Sequence, residues 1–194
     1  MRKVIFGGAN SLDNFIARPD GAVDWLLWSD EVMELIKDYW AGFDTIVMGR
    51  KTYTVATASS TTPSAEAADT PPKQDGEPEA ANPYGDMKTY VFSRTLTPGA
   101  APGGAEIVAD DPGEFVRKLK QQDGKDICVM GGGELGRTLF EAGVIDEIGF
   151  NIHPVLLGSG VPLFHGMKRQ IDLELIECRT FKNGCVYVLY RVKN

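Results

Sequence analysis

The feature that most limits how this chain can fold is a change of rhythm near residue 143. Before that point short β-branched runs alternate with helical stripes. After it, strands follow one another with no helix between them. Residues 2–9 (RKVIFGGA), 44–48 (DTIVM), 88–93 (KTYVFS), 105–108 (AEIV) and 126–130 (DICVM) are short, apolar and bounded by Gly or polar residues, so they read as strands. Val32, Ile36, Tyr39 and Phe43, with Met33 and Trp40 beside them, form a helical stripe over 30–43. Asp111-Pro112-Gly113-Glu114 has the form of a capping box with Pro at the first helical position, and Phe115, Val116 and Leu119 follow as a buried side. A third helix covers 134–142, with Leu135 and Leu139 on one face and Gly143 as its C-cap. Residues 145–152, 171–180 and 185–192 then read as strands, and Asn183-Gly184 predicts a two-residue type I′ hairpin turn. That turn sets Lys182 opposite Cys185 and Cys178 opposite Leu189, so these two thiols are out of register for a cross-strand disulfide. The whole pattern implies an α/β fold: a mixed, mostly parallel sheet, helices on both faces and an antiparallel C-terminal hairpin.

Residues 57–83 contain no Val, Ile, Leu, Met, Phe, Trp, Tyr or Cys and hold five of the eleven prolines. Such a stretch has no apolar area to offset its ordering entropy. The expectation is a flexible insertion within one domain spanning 1–194, since the halves on either side each supply only part of one sheet. The insertion carries five acids against one base, so it accounts for −4 of the net charge of −7. An acidic chain argues against a nucleic-acid binder and against a partner of anionic membranes, both of which need a basic surface. No apolar run approaches the roughly 18 residues of a membrane span. The apolar run Val4-Ile5-Phe6 ends at Gly7, too short for a secretory signal. Cys128, Cys178 and Cys185 have no metal-ligand spacing, and His153 and His165 stand apart from any acid pattern. These read as free thiols and structural histidines in a cytoplasmic protein with no metal.

In open α/β sheets ligands bind beyond the carboxyl ends of the strands. The segments that leave three of the predicted parallel strands are therefore informative: Gly49-Arg50-Lys51-Thr52, Ser93-Arg94-Thr95 and Gly131-Gly132-Gly133-Glu134. Glycines allow close backbone approach to an anion, helix starts offer free N–H groups, and hydroxyls and guanidinium groups add charge-assisted hydrogen bonds. Each junction alone is common, and each also reads as a tight turn with solvated first-turn cations. All three on one edge point to a polyanionic ligand. Residues 131–136 match G-x-G-x-x-G literally, but they lie late in the chain and lack the acid about 20 residues on that binds a ribose hydroxyl. The cations favour a 2′-phosphate, hence NADP over NAD.

These segments also resemble a known family. Ser11-Leu12-Asp13-Asn14-Phe15-Ile16-Ala17, Met48-Gly49-Arg50-Lys51-Thr52-Tyr53, Phe92-Ser93-Arg94-Thr95-Leu96 and Gly131-Gly132-Gly133-Glu134-Leu135 occur in that order. Val144-Ile145-Asp146-Glu147-Ile148 and His153-Pro154-Val155-Leu156-Leu157-Gly158-Ser159-Gly160 come after them. The set is similar to the dihydrofolate reductase-like superfamily, in particular the group related to the RibD C-terminal domain of riboflavin biosynthesis. The resemblance implies a three-layer fold and an NADPH-dependent reductase acting on a small heterocycle, pterin- or folate-like or of the pyrimidine-ribose, riboflavin-pathway type. It implies that Arg50, Lys51, Ser93 and Arg94 hold the 2′-phosphate end. Thr52 and Gly131 to Gly133 hold the pyrophosphate, and Gly49, Glu134 and Leu135 are further cofactor-binding positions. Ala9, Ile16 and Ala17 frame the nicotinamide. Asn10, Ser11 and Trp25 are candidates for substrate contact.

Trp25 and Asp30 keep the five-residue spacing by which a Trp precedes the active-site acid in dihydrofolate reductases, which implies Asp30 as a proton donor if it is buried beside Trp25 or Trp28. The plainer alternative is that Ser29 or Asp30 caps the helix. Met130 stands where riboflavin-pathway reductases usually carry Glu, and no zinc deaminase signature is present. A non-catalytic NADP-binding or interaction module on the same fold is the competing reading. A homodimer is expected, from the apolar strand 186–192 and the habits of related proteins.

Overall fold

The computed structural model describes residues 1–60 and 85–193. The elements run in the order β1 (Val4–Ser11), β2 (Phe15–Ala17), α1 (Asp30–Ala41), β3 (Phe43–Gly49), α2 (Arg50–Ser60), β4 (Lys88–Phe92), β5 (Gly99–Ala101) and β6 (Ala105–Val108). Then come α3 (Pro112–Lys120), β7 (Asp126–Met130), α4 (Gly133–Glu141), β8 (Glu147–His153), β9 (Val161–Pro162), β10 (Leu173–Thr180) and β11 (Val186–Val192). Nine strands form one sheet in the order β10-β11-β8-β1-β7-β3-β4-β6-β5. The run β8-β1-β7-β3-β4-β6 is parallel throughout, while β11, β10 and β5 join it through antiparallel pairings. The small β2–β9 ribbon stands apart from the main sheet.

The central strands are apolar on both faces because both faces are covered. On one face Val4, Phe6, Val47, Ile127, Val129 and Phe150 pack with Val116 and Leu119 of α3 and Leu139 and Phe140 of α4. Phe6 meets Phe140 and Phe150 edge to face, with centroids 5.5 and 5.2 Å apart. On the other face Ile5, Ile46, Met48, Val91 and Cys128 pack with Tyr39 and Trp40 of α1 and Tyr53 of α2. This is the three-layer α/β architecture expected from the alternation.

Local signals account for the helix ends. Ser29 caps α1, its Oγ accepting the Val32 N–H at 3.3 Å. Asp111 caps α3, its Oδ1 accepting from Glu114 N–H at 2.9 Å, with Pro112 next. Gly143 ends α4 in the left-handed region (φ 64). Its N–H reaches Phe140 O and the Val144 N–H reaches Leu139 O, the Schellman arrangement.

Phe43, read as the end of the helical stripe, instead opens β3, since α1 ends at Ala41. Two further expectations change. The hairpin turn has three residues rather than two. Phe181 faces Cys185, with Phe181 N–H to Cys185 O at 3.0 Å and Gly184 N–H to Phe181 O at 2.9 Å. Gly184 alone takes positive φ (86), so a type I turn ends in a left-handed glycine. Asn183 is occupied otherwise: its Oδ1 accepts from Cys185 N–H, and its Nδ2 reaches Ser29 Oγ across the fold. Cys178 therefore faces Val188, not Leu189. All three thiols are free. Second, α2 runs on to Ser60, so the first four residues of the apolar-free stretch complete a helix. Residues 61–83, the rest of the expected insertion, lie outside the described residues. The strands β2, β5 and β9, each three residues or fewer, are too short to leave a periodic signal.

Candidate functional site

The parallel strands all end on one rim, and the segments leaving it touch one another there. Arg50 and Lys51 open α2 directly from β3, both exposed. Among the described residues no carboxylate forms an ion pair with either. Gly131 follows β7 with φ 95, and a Cβ on it would lie 2.0 Å from Thr52 Oγ1. The β7–α4 turn is thus pressed against the first turn of α2, at a distance only glycine permits. Arg94, just after β4, reaches Glu134 Oε2 at 3.9 Å with its side chain 92% exposed. That pair is loose and leaves the guanidinium free for a stronger partner.

Each remaining candidate falls on or near this rim. Ser93 is buried, and its Oγ accepts from the N–H groups of Thr95 (3.2 Å) and Leu96 (3.0 Å). Its first task is therefore to fold the turn that presents Arg94. Glu134 is exposed and carries the wrong charge for an anion, and Leu135 packs into the core. What these two offer a ligand is backbone N–H at the start of α4. Gly132 carries the β2–β9 ribbon: a Cβ there would sit 3.1 Å from Pro162 O and 3.2 Å from Ile16 Cδ1. A Cβ on Gly133 would lie 1.6 Å from His165 Cδ2. His165 thus covers the start of α4, a placement invisible in a lone histidine of the sequence. Ile16 and Ala17 lie in the ribbon strand β2, and Ala9 is half-buried in β1.

The ribbon is tied down by Asp13. Its carboxylate takes the Ser11 hydroxyl at 2.6 Å and the N–H groups of Leu157 (3.1 Å) and Gly158 (2.8 Å). The Ser11 hydroxyl, with help from these amides, holds Asp13 below the ordinary carboxylate range. Ser11 is correspondingly spent. Its Oγ also accepts the Phe15 N–H, and the side chain is fully buried. It fastens the loop between β1 and β2.

The expected substrate contacts do not form one wall. Strand alternation puts Asn10 on the α3/α4 face together with Phe6, whereas Trp25 packs on the α1 face. Asn10 Nδ2 donates to Ser11 O and Asn14 Oδ1, while its Oδ1 has no partner. Asp30 is corrected too. It is the first residue of α1 and exposed, because Ser29 takes the cap and the helix buries Val32 and Leu35 instead. Trp25 turns inward and Trp28 is 62% exposed, so neither walls Asp30 off from water.

Beside Trp25 lies a cluster the sequence reading did not assemble. Gly149, Asn151 and His153 alternate along β8 on the face toward α1, where Gly149 adjoins Tyr39. His153 is buried, its ring edge-on to Trp25 with centroids 5.3 Å apart. Its Nδ1 accepts from Leu27 N–H at 3.1 Å, and its Nε2 lies 3.2 Å from the Asn151 amide. Cys185 Sγ is 3.4 Å from Nδ1. Burial lowers the His153 pKa and raises that of the Cys185 thiol, so both are neutral near pH 7. The polar beat on an otherwise apolar strand was the available signal. Among the described residues no helix is long and apolar enough to cross a membrane, and no group of three or more His, Cys, Asp and Glu is disposed to hold a metal.

Residues 2–187 match the model of the RibD C-terminal domain. The chain belongs to that family. It is 36% identical over 189 residues to the uncharacterized protein YyaP of Bacillus subtilis (strain 168), covering 97% of this chain and 94% of YyaP. A crystal structure of a putative riboflavin biosynthesis protein from Shewanella sp. PV-4 superimposes with a TM-score of 0.76 at 22% identity, over the full length of both chains. Dihydrofolate reductase from Enterococcus faecalis, complexed with NADP(H), superimposes with a TM-score of 0.65 at 14% identity, covering 99% of this chain and 97% of that one. The fold is dihydrofolate reductase-like, and family and fold together support an oxidoreductase.

Proposed function

We propose that the protein is an NADPH-dependent reductase that passes hydride to a C=N or C=O bond of a small heterocycle, of the pterin or pyrimidine-ribose kind. The observation that carries this reading is the meeting of three separate chain crossings at one rim: Thr52 against Gly131, Arg94 beside Glu134, and exposed Arg50 and Lys51 where α2 leaves β3. Exposed cations concentrated on one edge of a chain of net charge −7 suit a dinucleotide with a third phosphate. Arg50, Lys51, Arg94 and the hydroxyl proton of Ser93 would hold the 2′-phosphate. Thr52 and the amides of Gly131 to Leu135 would hold the pyrophosphate, where the β7–α4 turn lies against the first turn of α2. Ala9, Ile16 and Ala17 would frame the nicotinamide from β1 and the ribbon.

When bound, NADPH supplies the hydride and the chemistry with it. The chain's contribution is to orient the ring and keep water out, through the ribbon that Asp13 fastens across Gly132. Asp30 receives no proton-transfer role. The test compares thermal shifts with NADPH and NADH, then tracks NADPH oxidation with pterins, folates, flavin precursors and quinone-like carbonyls. The expected result is stabilisation by NADPH well above that by NADH, and turnover with at least one acceptor. No NADPH binding and no turnover would overturn the reading. A homodimer belongs to the same proposal: the edge strand β10 exposes Leu173, Leu175 and Ile176. Light scattering would then give twice the chain mass.

A further inference from the structure

The β2–β9 ribbon has no pairing with the main sheet. Its strands are three and two residues long and meet only at Phe15 with Pro162 and Ala17 with Val161. A two-stranded piece of this size does not hold its shape unaided in water, so its place over Gly132 has to be set from outside. The contacts that set it converge on Asp13. Oδ1 takes the Ser11 hydroxyl and the Leu157 N–H, and Oδ2 takes the Gly158 N–H. One carboxylate thus joins the exit of β1 to the loop that leads into β9, across 144 and 145 positions of sequence. Two backbone bonds flank it, Leu12 N–H to Val155 O at 2.9 Å and Leu163 N–H to Asn14 O at 2.8 Å. Those bonds use groups that almost any residue carries. The carboxylate is the part of the joint that this sequence supplies.

The cationic edge is built separately. Arg50 and Lys51 leave β3 and Arg94 leaves β4, two and three places from β1 in the sheet. The glycine turn lies between the two constructions. A Cβ on Gly131 would meet Thr52 on one side, whereas a Cβ on Gly132 would meet Pro162 O and Ile16 Cδ1 on the other.

Resting on the reductase reading, we propose that Asp13 is a positioning residue for one half of the cofactor. Through Leu157 and Gly158 it holds the ribbon that walls the nicotinamide and the pyrophosphate at Gly132, while the 2′-phosphate edge stands without it. The two halves of NADPH are then gripped by parts of the chain that one side chain couples. A displaced ribbon would lose the orientation of the nicotinamide and leave the adenosine end anchored.

The test compares two ligands on the full chain: NADPH, which spans both parts, and adenosine 2′-monophosphate, which reaches only the cationic edge. Asp13→Asn keeps the size of the side chain but brings an NH2 group to a place where three donors converge. It should weaken NADPH about tenfold in a fluorescence titration, as the loss of one charged hydrogen bond requires. Stopped-flow should show the loss as faster release. Adenosine 2′-monophosphate, measured by calorimetry, should change by less than about twofold. Gly160→Ala displaces the same ribbon from another point, since a Cβ there would run into Ala17 O. It should give the same split between ligands, and it carries the test if Asp13→Asn does not fold. In the double variant the loss for NADPH should fall short of the product of the single losses, because both act through one element. Equal losses for the two ligands in the folded variants, no loss for NADPH, or losses that multiply overturn the proposal. If the wild type binds NADPH and the variants bind it equally well, the reductase reading stands and only this assignment falls. A wild type that binds neither ligand ends both.

Discussion

The two rims of the sheet are built on opposite principles. At the amino-terminal rim charges are matched and partly buried. Lys120 Nζ lies 2.7 Å from Asp146 Oδ2 and 3.2 Å from Val144 O, and that same Asp146 oxygen accepts from Val4 N–H. Arg2, 7% exposed, pairs with Asp44 and donates to Thr45 Oγ1 at 2.6 Å. Lys3 reaches Glu147 Oε1 at 2.8 Å. At the carboxyl rim Arg50, Lys51 and Arg94 stand exposed, and Gly131 brings the backbone close to Thr52. One rim uses its charges on the fold; the other leaves them exposed. The same topology produces both, because parallel strands gather all their exits on one side and all their entries on the other.

The comparison breaks most severely if the amino-terminal rim is disturbed. Lys120→Met leaves Asp146 partly buried without its cation and should cost about 3 kcal/mol in chemical denaturation, a fall in Tm of roughly 6–10 °C, with NADPH affinity unchanged. The reverse holds across the sheet. Arg50→Ala with Arg94→Ala should weaken NADPH binding by about 100-fold in a fluorescence titration while moving the Tm of the free protein by no more than about 1 °C. Equal stability losses at both rims would erase the distinction.

His153 sharpens it. Its folded pKa lies below the ordinary value of 6.5, so the unfolded chain binds a proton more readily. The contribution is fully present above 6.5 and is lost as the pH falls through the folded pKa. His153→Gln should flatten the stability profile between pH 7.5 and 5.5 (roughly one unit either side of the ordinary histidine value). A profile as steep as wild type would remove His153 from this account. The smallest effect is at the loose Arg94–Glu134 pair. Glu134→Gln should tighten NADPH binding by about twofold, in keeping with the low worth of an exposed ion pair.

Much of the fold was legible because its signals are local. Capping by Ser29 and Asp111, the glycine after α4 and the alternating strand and helix periods each depend on residues a few positions apart. The hairpin loop was misread because Asn183 has a distant partner in Ser29, and local turn statistics carry no trace of it. The exit segments 49–52, 93–95 and 131–134 could be grouped by sequence because strand ends announce where parallel exits lie. The substrate side could not. Asp30 looked suited to acid chemistry by spacing, yet it is an exposed first-turn residue. Asn151 attracted no notice and Cys185 read only as a free thiol, since nothing near them in the chain marks them as neighbours of Trp25.

The sequence by itself determined the layers, the caps of α1 and α3, the glycine that ends α4 and the cations that leave the parallel strands, because periodicity, caps and glycine placement act over a few residues. Only the tertiary structure decided which side chains meet beneath α1. The Trp25, Asn151, His153 and Cys185 cluster joins a loop, a parallel strand and an antiparallel hairpin, and it is closed by a hydrogen bond between residues 126 positions apart.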